Sequence, residues 1–248
     1  MKGLFKNIRF TKKLMINIKL ILLLGLILFL SVSSSVRNDS RFLISNQVKF
    51  HNPEQPLISE ETVNNLLILN KGSVKNIRKD ALDLNSIESV LDTNPYIRNA
   101  NVYVSVNGEV GVDVLQKTPL ARVQTNESFY IDEEGKMMPT SPNFSVRVPL
   151  VTGEVTKKNL PDVFEIVKSI HADPFFKKEI VGIVVLKNKY TFLLREFDFL
   201  IDFGTSENIT LKLNNFKAFY KKAIKDKTIK TYNSVNLQIA SQVICTKK

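Results

Sequence analysis

Residues 20–30 read LILLLGLILFL, and no charge interrupts the seventeen positions from Leu20 to Val36. That is the short end of what spans a hydrocarbon core ~30 Å thick. Leu14, Met15, Ile16 and Ile18 extend the run if Lys19 reaches back to the headgroups. Lys2, Lys6, Arg9, Lys12, Lys13 and Lys19 all lie before or at the start of the run, with no acid among them. The positive-inside rule keeps that basic end in the cytoplasm and exports everything after Val36. The expectation is a cytoplasmic segment over 1–19, a transmembrane helix over 20–36, and Lys12, Lys13 and Lys19 at the membrane face. A cleaved signal peptide is the competing reading, because the most apolar core is only eleven residues and Ser33, Ser34 and Ser35 suit a signal peptidase. Both readings export the remainder, and local physics leaves both open.

The formal charge of +11 does not point to nucleic acid once its distribution is considered. Setting aside the six N-terminal basic residues leaves 29 basic against 24 acidic residues, a net of +5 over the rest. That is no phosphate-binding footprint. Cys245 is the only cysteine, so no intrachain disulfide or thiolate cluster is available. His51 and His171 are far apart in sequence with no HExxH motif. There is no G-x-S-x-G elbow and no Gly-rich phosphate loop, so no catalytic, metal or cofactor-binding residues are assigned.

The first exported unit, about residues 42–117, opens with a strand over Phe42–Phe50 (FLISNQVKF). Ser59 before Glu60 and Glu61 signals a helix start, and Val63, Leu66 and Leu67 give that helix an apolar stripe. Asn85 with Glu88 resembles a capping box for a second helix whose face is Ile87, Val90 and Leu91. Val102, Val104 and Val106, then Asn107-Gly108, then Val110, Val112 and Val114 predict a hairpin with a type I′ turn, both turn residues at positive φ. Strand, helix, helix, strand, strand suits a three-stranded sheet with both helices on one face.

The second unit, about residues 118–248, alternates strands and helices. Leu120, Arg122 and Val123 begin a strand, and Phe129–Asp132 leads into Glu133-Glu134-Gly135-Lys136. Three adjacent acids cannot share one cleft, so Asp132, Glu133 and Glu134 read as a hairpin tip facing water rather than as an acid-base pair. Asn159 caps a helix with Pro161 in its first turn and Val163, Ile166, Val167 and Ile170 on one face. Strands follow over Ile180–Leu186, Tyr190–Leu194 and Asp198–Phe203. Ser206 caps a last helix whose apolar face is Ile209, Leu213, Phe216, Tyr220 and Ile224, and whose solvated back carries Lys212, Lys217, Lys221, Lys222 and Lys225. One long strand, Tyr232 to Cys245, closes the chain, with Val235, Leu237 and Ile239 and then Val243 and Cys245 alternating.

Short motifs sharpen this order into a resemblance. Asn94-Pro95 through Val102 is similar to the NP-x-V-x-x-A-x-V strand entry of POTRA domains, and Lys117-Thr118-Pro119-Leu120-Ala121 resembles their K/R-x-P-x-A exit. Tyr130-Ile131-Asp132 with Gly135, Val148–Gly153, and Leu211–Tyr220 followed by Val235-Asn236-Leu237 resemble the hairpin, L-P-x-L-x-G turn and closing helix and strand of the FtsQ/DivIB family. Asn236 stands where that family usually has Asp, and Gln238-Ile239 replaces a basic-aromatic pair.

The resemblance implies an α+β fold: one transmembrane helix, a POTRA domain (β-α-α-β-β), and a mixed α/β second domain on an extended antiparallel sheet. It implies a non-enzymatic scaffold of the bacterial division septum in the inner membrane, with no cofactor, nucleic acid or small-molecule substrate. Its partners would be divisome proteins of the FtsB and FtsL type. Capture would use a free C-terminal strand edge carrying Tyr232, Val235, Asn236, Leu237, Gln238, Ile239 and Val243. An exported soluble binding protein or enzyme with a cleaved signal is the alternative.

Overall fold

The computed structural model describes residues 17–34, 46–71, 82–105 and 107–248. Lys12, Lys13 and the first four residues of the expected strand from Phe42 lie outside the described residues. Helix α1, Asn17–Ser34, includes Lys19 near its start and is about 27 Å long at 1.5 Å per residue. Among the described residues it is the one helix long and apolar enough to cross a membrane. The described residues fall into two units, one of residues 17–34, 46–49, 60–71, 82–92, 99–105 and 107–114, the other of residues 50–59, 93–98 and 115–248.

The first elements are β1 (Asn46–Phe50), α2 (Glu60–Lys71), α3 (Leu84–Asp92), β2 (Ile97–Val104) and β3 (Val110–Gln116), in the expected order, with Phe50, Ile97, Arg98, Leu115 and Gln116 counted in the second unit and the rest in the first. The sheet order is β1-β3-β2, so the last strand in sequence is central. Val110, Val112 and Val114 of β3 and Ala100 and Val102 of β2 are buried, as are Val63 and Leu67 of α2 and Ile87 and Leu91 of α3. Alternation on the strands and 3–4 spacing on the helices place these residues on the faces that meet.

Two local details differ from expectation. Asp83, not Asn85, caps α3, its Oδ1 accepting from Ser86 N at 3.1 Å. Glu88 is thereby free of the capping box and bonds β2 instead. In the hairpin Gly108 has positive φ (87°). Gly108 N donates to Ser105 O and Ser105 N to Glu109 O, which is a turn followed by a Gly bulge rather than type I′. A two-residue turn with both φ values positive does occur, at Lys187 (48°) and Asn188 (58°). Its strain is held by Glu154, whose Oε2 accepts from Lys187 N at 2.9 Å.

The second unit is built on a nine-stranded sheet in the order β12-β11-β10-β9-β8-β7-β4-β5-β6. Its strands are β4 (Pro119–Gln124), β5 (Ser128–Asp132), β6 (Met137–Pro139), β7 (Leu150–Gly153), β8 (Ile180–Leu186), β9 (Lys189–Leu194), β10 (Leu200–Gly204), β11 (Tyr232–Asn236) and β12 (Ile244–Lys247). Helices α4 (Leu160–Ala172) and α5 (Pro174–Glu179) connect β7 to β8, and α6 (Ile209–Lys225) connects β10 to β11. The sheet is mixed rather than antiparallel, with β4–β7, β7–β8 and β10–β11 parallel. For β7–β8 and β10–β11 the reason is connectivity: a helix between neighbouring strands returns the chain to its starting end, so the next strand runs the same way, whereas β4 reaches β7 through β5, β6 and the segment that follows them.

The three helices cover one face of this sheet. Val163, Ile166, Val167 and Ile170 of α4, Phe176 of α5, and Leu213, Phe216, Tyr220 and Ala223 of α6 pack with Ile183, Val185, Phe192, Ile201, Phe203 and Val235. On a second cluster Leu57, Tyr130, Met138 and Val146 come together, with the Tyr130 hydroxyl accepting from Val146 N at 3.1 Å. Gln116 clasps the segment 50–59 within this unit. Its Oε1 accepts from Leu57 N (2.8 Å) and Ile58 N (3.2 Å), and its Nε2 donates to Asn52 O.

Four polar residues take roles the sequence reading did not give them. Asp132 is 0% exposed rather than solvated. It accepts from Glu134 N and Lys136 N and pairs with Lys117 at 3.2 Å, so it builds the hairpin turn. Neighbouring Glu133 accepts from Thr118 N and lies 3.4 Å from Arg98. Asn159 precedes α4 without a side-chain cap bond, binding Thr156 N and Glu154 O instead. Asn208, not Ser206, precedes α6, in the left-handed region at φ 54°.

Candidate protein-binding edge

The far end of the sheet is a hairpin laid against β10. Leu200, Ile201 and Asp202 face Ser234, Val235 and Asn236 in parallel register. On its other side β11 pairs antiparallel with β12, Asn236 opposite Ile244, Val235 opposite Cys245 and Ser234 opposite Thr246. The expected single strand from Tyr232 to Cys245 is therefore two strands. Asn236 breaks it: its Oδ1 accepts from Gln238 N at 2.9 Å, an Asx turn that ends the extended run. Gln242 N then donates to Ile239 O, and Asn215 of α6 holds the bend through Ala240 O at 2.7 Å.

The free edge therefore lies beyond these residues. Tyr232, Val235 and Asn236 are on an interior strand, paired on both sides. Val235 and Leu237 are core residues, and Leu237 N donates to Asp202 O at 2.8 Å. Gln238 and Ile239 lie in the bend, Ile239 51% exposed, and Val243 packs partly against the core. The edge strand itself is β12, Ile244–Lys247.

Which groups face outward follows from the pairing. Since Leu237 N is spent on β10, the backbone groups of Val235 face β10 and those of Ser234 and Asn236 face β12. Their partners Thr246 and Ile244 are thus turned into the hairpin, as is Lys248, whose N donates to Thr231 O. The N–H and C=O of Cys245 and Lys247 remain on the outer side. Among the described residues no side chain bonds them.

The edge stands on a rigid base. Tyr232 meets Phe219 of α6 edge-to-face at 5.3 Å, and Phe216 and Tyr220 extend the aromatic layer to Phe175, Phe176 and Phe197. Lys217 pairs with Asp173 at 2.6 Å, and the hydrogen bond from Lys217 holds the Asp173 carboxyl below the ordinary carboxylate range. Lys212 is not on a solvated back: it is 2% exposed, and its ammonium donates to Phe203 O (3.1 Å) and Thr205 O (3.0 Å) over the Phe203 ring. Burial pushes its pKa down. It ties the end of β10 to α6, where a helical-wheel reading sees only one more lysine. Burial likewise pushes the Cys245 thiol up, away from the reactive thiolate. Among the described residues no group of three or more His, Cys, Asp or Glu side chains converges as a metal site would need.

Comparison with known proteins adds three findings. A family model described as FtsQ/DivIB, C-terminal related, matches residues 118–246, and a POTRA-like domain model matches residues 48–115. A cell division protein FtsQ from Myxococcus fulvus (strain ATCC BAA-855 / HW-1) is 33% identical over 73 residues, 29% of this chain. That stretch spans 26% of the relative's own length. With a POTRA-like unit ahead of a matched region that covers just over half of its length, the chain belongs to the FtsQ/DivIB family of cell-division proteins.

Proposed function

We propose that this chain is a non-enzymatic scaffold of the division septum that captures its partners by strand addition at β12. The observation that carries this reading is the free edge itself: the outward N–H and C=O of Cys245 and Lys247, on a hairpin backed by a packed aromatic layer. A partner segment of four or five extended residues can continue the ladder there. Ile244 and Thr246 are exposed beside the backbone groups and would contribute selectivity. The family points to small coiled-coil membrane proteins of the FtsB and FtsL type as those partners, and to control of septal peptidoglycan synthesis as the output. In the topology we propose, residues 1–19 are cytoplasmic, α1 is a single pass through the inner membrane, and both folded units are extracytoplasmic. Tethering both proteins to one membrane raises their effective concentration, so an interface of ~1,000 Å² or less suffices.

The test is reconstitution of the full chain with purified FtsB-type and FtsL-type proteins in detergent. A stable complex with the wild type that is weakened roughly 30-fold in Lys247→Pro supports the reading. Absence of a complex, or isolation from cells of a soluble product beginning near Ser35, refutes it.

A further inference from the structure

The three-stranded sheet has an edge of its own at β2, which is eight residues long. Long free edges invite pairing with other copies. Here the hairpin bond from Ser105 N to Glu109 O fixes which groups point where: odd-numbered residues of β2 face β3 and even-numbered ones face outward. The outward N–H groups at the centre of the strand are those of Ala100 and Val102. Neither is open. Asp92 Oδ1 accepts from Ala100 N at 2.9 Å, and Glu88 Oε1 accepts from Val102 N at 2.6 Å.

The two acids come from one helix, α3, four residues apart. Four residues advance a helix by about 6.0 Å, and two residues advance an antiparallel strand by about 6.8 Å. The repeats match within an ångström, so one helical turn presents two oxygens where a neighbouring strand would present two carbonyls. Ile87 and Leu91, buried beneath, fix the helix in that register. Ionised acceptors also bind amides more strongly than neutral carbonyls do. An arriving strand would have to displace both carboxylates and then bring its own carbonyl oxygens up to them.

We propose that Glu88 and Asp92 form a latch that closes the β2 edge to strand addition, and that the strand it excludes is β2 of a second copy of this chain. The closure is independent of what β12 binds. The contrast between the edges is structural: β2 has carboxylates on its outward amides, and β12 has none among the described residues.

The experiment uses the full chain in detergent, in a Cys245→Ala background, with Asn101→Cys as a cross-linking probe. Asn101 is exposed and its backbone faces β3. In an antiparallel β2–β2 pair it would therefore occupy the closer, non-hydrogen-bonded type of site, suited to a disulfide. With the probe thiol reduced and the chain dilute enough to be monomeric, Glu88→Ala with Asp92→Ala should lower hydrogen-exchange protection at the Ala100 and Val102 amides at least about tenfold. Residues 101 and 103 should stay protected, and a disulfide-linked dimer should appear that the latched chain does not form. Equal cross-linking with the latch intact overturns the proposal, as does a double variant that loses protection yet forms no dimer. If the double variant does not fold, Asp92→Ala alone decides: Ala100 should lose protection while Val102 keeps it, and equal protection at both overturns the latch.

Discussion

Proline at the outward positions of β12 isolates the strand-addition contact from the fold that supports it. Cys245 and Lys247 have their N–H groups on the outer side, so a proline ring there removes no bond between β11 and β12, and proline is tolerated at such positions on edge strands. What is lost is one intermolecular bond, about 1 kcal/mol net, plus roughly 1 kcal/mol or more for the partner carbonyl left buried without a donor. A total of about 2 kcal/mol corresponds to roughly 30-fold weaker binding per proline, and about a thousandfold for Cys245→Pro with Lys247→Pro if the two add. Titration calorimetry of the full chain in detergent with a purified FtsB-type partner reads this directly, and urea unfolding of the same samples should shift by less than about 1 kcal/mol. Thr246→Pro, which removes an inward ladder bond, should instead open the hairpin. Folded Cys245→Pro and Lys247→Pro variants that bind within threefold of wild type would refute strand addition at this edge.

Three further outcomes test the packing. Gly111 lies under the Tyr103 ring, where an added Cβ would come 2.3 Å from Cζ. Gly111→Ala should cost roughly 1–2 kcal/mol in urea melts, while in a Tyr103→Ala background the same change should stabilise by about 0.5–1 kcal/mol through chain entropy. Tyr190 is buried with a hydroxyl that makes no hydrogen bond among the described residues, and burial, then Asp162, push its pKa up to about 12. Since a raised pKa gives stability that is present below the unfolded value near 10 and lost as pH rises toward 12, Tyr190→Phe should match or exceed wild type at neutral pH and flatten that alkaline decline in chemical melts. Asp173, lowered by Lys217, contributes stability that is present above the unfolded carboxylate value near 4 and lost as pH falls through its depressed value. Asp173→Asn should remove that part of the acid limb in thermal melts between pH 2 and 6.

Periodicity was the legible part of this sequence. The valine alternation of β3 and the Val163, Ile166, Val167, Ile170 stripe of α4 name their own buried faces, because burial repeats with the element. Helix starts were less legible. Asn85, Asn159 and Ser206 are all competent caps, yet Asp83 and Asn208 stand before α3 and α6, Asn159 precedes α4 without a side-chain cap bond, and the choice depends on tertiary partners such as Val102, Glu154 and Asp162. The binding edge shows the same limit. The apolar alternation from Val235 to Ile239 reads as continuous strand, but the Asn236 side chain bonds two residues ahead and turns the chain, moving the edge to Ile244–Lys247. Parallel pairing of β10 with β11, the burial of Lys212 against two carbonyls, and the carboxylates on β2 all join residues distant in sequence or faces that no local pattern encodes.

Because β11 runs parallel to β10, it reaches its slot only by way of α6, and β12 only after β11. Such non-local pairing is slow to form and is stabilised only once the intervening helix has docked. The acceptor edge is therefore a late-folding element whose population depends on contacts far from it, such as Phe216 against Phe176. If a fraction f of molecules has α6 seated, the apparent dissociation constant for a strand at β12 is the intrinsic value divided by f. Core substitutions that touch no partner would then weaken capture in proportion to the molecules they leave without an edge.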